Sequence, residues 1–232
     1  MKKRKKIIIR YKYYMNKIVT LCILLKEDNS KVNYMNYVFK KHKYIKFFPA
    51  IYWKTNIQKA INLFLEYDLK LKCYLSQGAF CIWLTNIQLW IRCLKKFPRK
   101  KYFIILEDDI VLPNQFLKLV NKLYIKTGIV DKVGAVMLYP KKPINCVATL
   151  YTRKQIKKIL HAVFLNGITN RLDDYLIIDK KFVKRPNINL ANYNRKIKSR
   201  RVTSEKNKHL KNIKVLISEA RIKKLEKKKD KV

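Results

Sequence analysis

The chain has 232 residues, 49% of them apolar and 12% aromatic, and its 55 Lys and Arg against 15 Asp and Glu give a formal net charge of +40. This apolar content excludes a chain disordered throughout, and the length suffices for one large domain with a full core or for two small ones. The charge favours anionic partners of any kind and leaves the fold open, and the A/T-rich codons of Lys, Ile, Asn and Tyr offer compositional drift as a second source of it.

Residues 1–16 form a basic, Tyr-rich leader. "MKKRKKIII" has the basic start of a signal peptide, but "RYKYYMNK" interrupts the apolar stretch at once. The next apolar run, Ile18 to Leu25, is too short to span a bilayer. These features predict a protein without a transmembrane segment, soluble and intracellular (cytoplasmic), with reduced thiols. None of Cys22, Cys73, Cys81, Cys93 and Cys146 forms a Cys-x-x-Cys pair, and buried free thiols are expected. His42, His161 and His209 are scattered and show no ligand spacing.

"KIVTLCILL" (Lys17 to Leu25) is a continuous apolar, β-branched run, which fits a strand buried on both faces. The turn-like "KEDNSK" leads to a helix, and "YIKFFPAIY" is a second strand ending near Pro49. Ile57, Ile61, Phe64 and Leu65 recur at helical spacing, as do Ile87, Trp90, Ile91 and Leu94 over Asn86 to Lys96. "KYFIILEDDIVL" is the next strand, "NQFLKLVNKLYI" the next helix and "VGAVMLY" a further strand. Thr152, with Gln155 three residues on, caps the helix "RKQIKKILHAVF". Strands alternating with helices predict an α/β domain with a mainly parallel sheet over residues 17–195. Residues 196–232 form a basic tail in which Leu210, Ile213, Ile217 and Ala220 make one apolar stripe. It reads as a helical appendage, and a chain ended near Lys198 is expected to keep a cooperative transition.

The run Phe103 to Leu106 ends in three consecutive acids, Glu107, Asp108 and Asp109. In open α/β sheets ligands sit beyond the carboxyl ends of the strands. Adjacent carboxylates repel, so they call for a cation or basic partners. Hard oxygen donors of this kind suit Mn²⁺ or Mg²⁺. A solvated acidic turn with lysines nearby is the alternative.

"GAFCIWLTNIQLW" (Gly78 to Trp90), followed by "FIILEDDIVL", resembles glycosyltransferase family 25. This family includes bacterial lipopolysaccharide sugar transferases and animal procollagen galactosyltransferases. Gly78, Ala79 and Trp90 fall in register with its motif, and Glu107, Asp108 and Asp109 match its acidic segment. "KIVTLCILLKEDNSK" lies where the family has its first strand and nucleotide turn. "FFPAI" looks like its second strand, "TLYTRKQIKKIL" resembles a later motif, and "LDDYL" (Leu172 to Leu176) looks like its Val-Asp-Glu/Asp-x-Leu segment. The family's Ser-His stands here as Thr85-Asn86. The arginines of its nucleotide turn are missing, with Lys26 and Lys31 the nearby cations.

The resemblance implies a GT-A-like, Rossmann-like nucleotide-sugar-binding domain. It also implies a metal-dependent transfer of a sugar, galactose or glucose, from a UDP-sugar to a hydroxyl on a glycan or protein. Asp109 would be the direct ligand of Mn²⁺ or Mg²⁺, with Glu107 or Asp108 on the ribose or a metal-bound water. Gly78, Thr85 and Asn86 would belong to the donor site, although Asn86 cannot take up a proton as the family's His can. Asp173 would accept the acceptor's proton, with Asp174 second; both could instead cap a helix. Two other readings remain open. One is a catalytically inactive, glycosyltransferase-like binding protein. The other is a basic protein that meets nucleic acid or anionic surfaces through its leader and tail.

Overall fold

The computed structural model describes residues 16–139, 148–179, 181–184, 190–193 and 212–229. Five strands form one open sheet: β1 (Ile18–Leu24), β2 (Ile45–Pro49), β3 (Tyr102–Leu106), β5 (Ala135–Met137) and β6 (Ala148–Thr152), in the order β2-β1-β3-β6-β5. β1 pairs with β2 and β3 in parallel, and β6 pairs antiparallel with both β3 and β5. Only β6 therefore runs against the rest, and the expected α/β class with a mainly parallel sheet is what folds. A second ladder joins β4 (Ile110–Val111) to β7 (Asn192–Tyr193), antiparallel.

The helices are α1 (Asn29–Lys41), α2 (Trp53–Glu66), α3 (Gln77–Lys96), α4 (Phe116–Val120), α5 (Ile129–Val133), α6 (Arg153–Asn166), α7 (Leu172–Asp174) and α8 (Ile213–Lys229). Single π-helical turns extend α4 over Asn121–Ile125 and α7 over Tyr175–Asp179. They divide between the two sheet faces. Along β3, Phe103 and Ile105 face one buried cluster with residues of α2, α3 and α6. Tyr102, Ile104 and Leu106 face another, with Met35 and Val38 of α1 and Phe116 and Val120 of α4. Burial on both faces is why β1 and β3 read as unbroken apolar runs rather than as alternating patterns.

Three features differ from the sequence reading. α3 starts at Gln77, nine residues before the expected start at Asn86, because Ser76 caps it: its Oγ accepts the Ala79 N–H at 3.2 Å. β6 was not predicted. It is buried along its length, but Ala148, Thr149 and Thr152 dilute its apolar character. The tail helix α8 packs on α2, with Ile213 and Ile217 buried in the core; Leu210 and residues 1–15 lie outside the described residues. Cys22, Cys81 and Cys93 are buried free thiols and Cys73 is a half-buried one; Cys146 lies outside the described residues. Among the described residues no helix is long and apolar enough to cross a membrane.

The burial of Ile213 and Ile217 changes what is expected of the tail. Ile213→Ala should destabilise the protein by about 2–4 kcal/mol through the cavity it leaves. Val215→Ala, at a side chain that is 47% exposed, should stay within about 0.5 kcal/mol. Urea unfolding of both variants checks this; equal, small effects would return α8 to the status of an appendage.

Candidate active site

The acids close β3 at its carboxyl edge, beside the turn from β1 to α1. Their environments differ. Glu107 is half-buried, whereas Asp108 and Asp109 are each 6% exposed. Asp108 carries protein donors on both oxygens. Its Oδ2 accepts the Leu25 N–H at 2.9 Å, and its Oδ1 accepts the Lys31 ammonium at 2.5 Å. Leu25 follows the last residue of β1, and Lys31 lies in the first turn of α1. One carboxylate thus joins the end of β3 to the end of β1 and to the helix that follows.

The β1–α1 turn is itself organised by a buried acid. Asp28 caps α1, its Oδ1 accepting the Ser30 hydroxyl at 2.6 Å and the Lys31 N–H at 3.4 Å. Tyr34, one turn further along α1, donates its hydroxyl to the Ile110 carbonyl at 2.6 Å. α1 therefore grips the acidic segment from both sides, through Asp108 and through Ile110. Sequence reasoning did not single out Asp28 or give Lys31 a role. The signal was present: Asp28 precedes a helical pattern at the N-cap position, and Lys31 is the first cation inside it.

Hydrogen bonds lace the remainder of the edge. The Ala50 N–H donates to the Leu24 carbonyl at 2.9 Å, and the next residue, Ile51, donates its N–H to Thr85 Oγ1 at 3.0 Å. Thr85 of α3 thus fixes the chain as it leaves β2, on the same edge as Asp108. Asn86 turns inward: its amide donates to the Ile82 carbonyl of its own helix at 3.0 Å. Gly78 does not owe its place to close approach, since a Cβ there would meet only the Trp53 ring, at an ordinary 3.7 Å.

Asp173 and Asp174 lie in the first turn of α7, where their charge suits the positive end of a helical run. Their segment is held against α3 by Trp83, whose indole N–H donates to the Asn170 carbonyl at 2.9 Å and whose ring meets Tyr175 edge-on at 5.1 Å. Trp83 sits within the quoted motif stretch but was passed over in favour of Trp90. Trp90 is wholly buried, its ring against Tyr151, and serves the core. Among the described residues no group of three His, Cys, Asp or Glu side chains is placed to hold a metal ion by itself.

The electrostatics follow from this packing. Burial would lower the pKa of Lys31, but the charge and hydrogen bond of Asp108, with Asp109 and Glu107 behind, outweigh it and hold the ammonium above its ordinary value. Burial first, and then the Asp108, Asp109 and Glu107 carboxylates, push the Cys22 thiol well above its usual range. Cys22 faces Leu106 across the β1–β3 ladder and is an inert core thiol.

The structure up to this point is an open α/β sheet whose chemistry-bearing acids stand at the carboxyl edge of its parallel strands, the general ligand-binding layout of this class. A family model described as "Glycosyltransferase family 25 (LPS biosynthesis protein)" matches residues 17–139, just over half of the chain. The chain belongs to glycosyltransferase family 25, a family of enzymes that transfer sugars. Asp173 and Asp174 fall outside the matched residues. Among solved structures, the "Crystal structure of a glycosyltransferase involved in the glycosylation of the major capsid of PBCV-1" is similar at 10% identity, covering 73% of this chain and 80% of that one with a TM-score of 0.41. No curated protein matches the chain significantly.

Lys31→Met should cost about 3–5 kcal/mol, because it leaves Asp108 buried without its cation. The double variant Lys31→Met/Asp108→Leu should recover most of that loss in urea unfolding. With the folded pKa of Lys31 raised, the pair's contribution is complete below the unfolded value of about 10.4 and is lost as pH rises through the folded value. Wild type should therefore lose stability more steeply than Lys31→Met above that pH. Parallel curves would mean that the pair contributes no pH-dependent stability.

Proposed function

We propose that this family 25 protein is a metal-dependent glycosyltransferase moving a sugar from a UDP-sugar to a hydroxyl acceptor on a glycan or protein. The observation that carries the reading is the place of the three acids at the carboxyl edge of the parallel strands, beside the turn that Asp108 ties to β3. Asp108 is committed to Lys31 and Leu25, so it serves as the post that sets its neighbours at the sheet edge. Asp109 and Glu107, hard oxygen donors on either side, fit Mn²⁺ or Mg²⁺, ions that are commonly held by one or two carboxylates together with substrate phosphates. When bound, such an ion supplies Lewis-acid stabilisation of the charge on the departing nucleoside diphosphate.

The chain's own residues supply the rest. Thr85 holds the end of β2 by accepting the Ile51 N–H, which fixes one wall of the edge. Asp173, carried by the segment that Trp83 pins to α3, takes the proton from the acceptor hydroxyl in an inverting transfer, with Asp174 as the second candidate. Asn86 is bonded within its own helix, and no proton passes through it.

Asp109→Asn should weaken Mn²⁺-dependent UDP binding and lower transfer by about 10²-fold or more. Asp173→Asn should leave UDP binding nearly intact and remove transfer, since only the proton acceptor is lost. Calorimetry with UDP, with and without Mn²⁺, alongside a nucleotide-sugar panel separates these effects. If wild type binds no UDP at any Mn²⁺ concentration, the donor site is lost and the protein is a non-catalytic relative.

A further inference from the structure

A cavity of about 520 Å³ opens at the other end of the sheet. Its walls are Lys101, just before β3, the end of α5 with Lys132, and the first two turns of α6 from Thr152 to Lys158. β6 runs against β3, and Tyr102 stands opposite Thr152, so this is the amino edge of β3. Roughly 20 Å of extended chain, from Lys101 to Glu107, separates it from the acids.

Six of the eleven residues around this cavity are Lys or Arg. The one acid, Asp131, is already engaged by the Lys101 ammonium and the Tyr102 hydroxyl, each at 2.9 Å. Arg153 is pinned by its guanidinium to the carbonyls of Leu94 in α3 and of Phe97 just beyond its end. Lys132, Lys154, Lys157 and Lys158 are exposed, and among the described residues no ion pair engages them.

The placement of these cations is unfavourable in the free protein. Lys154, Lys157 and Lys158 are neighbours at spacings of three and four on one helix face, where like charges repel. Arg153 and Lys154 also stand in the first turn, at the positive end, of a fourteen-residue helix that holds no acid there. An anion in the cavity removes both penalties at once. The concavity has the volume of a small-ligand site rather than the stripe that an extended polyanion follows. Gly134 shapes one wall. Its φ of +86° strains any residue with a side chain, and a Cβ there would meet the Gln155 side chain at 2.4 Å.

We propose that this cavity binds a compact, multiply phosphorylated group, at a site separate from the acidic edge. The phosphates could be borne by a soluble molecule or by a lipid, and the two arms of the experiment tell these apart. In the first, inorganic tripolyphosphate is titrated calorimetrically into the full chain. One saturable equivalent is expected, weakened about tenfold or more by Lys154→Gln/Lys157→Gln/Lys158→Gln, as loss of several phosphate contacts requires. Lys118→Gln/Lys122→Gln/Lys126→Gln removes the same charge from exposed positions elsewhere and should change affinity by less than about twofold. Asp109→Asn should leave it unchanged. In the second arm, neutral phosphatidylcholine vesicles are compared with vesicles doped with phosphatidic acid. Sedimentation with the doped vesicles alone, lost in the α6 variant, would place the phosphate on a lipid; tripolyphosphate binding without sedimentation would place it on a soluble molecule. The proposal fails if neither probe binds saturably, if both lysine triples weaken binding equally, or if Asp109→Asn abolishes it. It also fails if a short single-stranded DNA displaces tripolyphosphate and depends equally on both triples, since that is diffuse binding of nucleic acid. The α6 variant relieves repulsion, so its melting temperature should not fall, and loss of binding would not reflect unfolding.

Discussion

The contact on which the carboxyl edge depends is the double engagement of Asp108 by the Lys31 ammonium and the Leu25 N–H. A parallel sheet brings the ends of β1 and β3 side by side, but it does not decide how the chain leaves them. Asp108 does, by holding the first residue beyond β1 and the first turn of α1 with one rigid group. The order then passes outward. Asp28 caps α1, Tyr34 secures Ile110 beyond the acids, and the Leu24–Ala50 and Ile51–Thr85 bonds carry the frame across β2 to α3. A buried ion pair contributes little net stability compared with apolar residues of similar volume. Its value here is geometric, since an apolar pair would fill the space without fixing where Leu25 or α1 must lie.

What the sequence disclosed follows the strength of its local signals. β1 and β3 were legible because burial on both faces demands continuous apolar runs, and Val19, Cys22, Phe103 and Ile105 supply them. β6 was not, because Ala148, Thr149 and Thr152 are buried by their neighbours rather than by their own hydrophobicity. α3 was recognised only over its second half. Its first turn carries Gly78, a poor helix former, directly after the Ser76 cap. The acids themselves were plain, but their division of labour was not. That Asp108 is spent on Lys31 is a contact across 77 residues, which no spacing reveals. Likewise the motif promoted Trp90, while the indole that holds the Asp173 segment belongs to Trp83.

The excess of positive charge is not spread evenly over this frame. At the carboxyl edge a buried lysine, Lys31, stands against three acids, Asp108, Asp109 and Glu107. At the amino edge of β3 the balance is reversed, with one acid among six cations. Fields from groups this far apart on a protein surface are largely screened at physiological salt, where the Debye length is about 8 Å. The two edges can therefore hold opposite charge without either cancelling the other.

This also explains how three carboxylates come to stand together at a strand end. As three equivalent anions they would oppose folding, because each raises the cost of burying the next. They are not equivalent. Asp108 is neutralised by Lys31, and its second oxygen is satisfied by a backbone donor, so in charge terms the buried centre of the triplet is an ion pair. Substituting Lys31 by an apolar residue would restore the repulsion as well as remove the tie, which is why its loss should exceed that of an ordinary surface pair, worth about 0–1 kcal/mol.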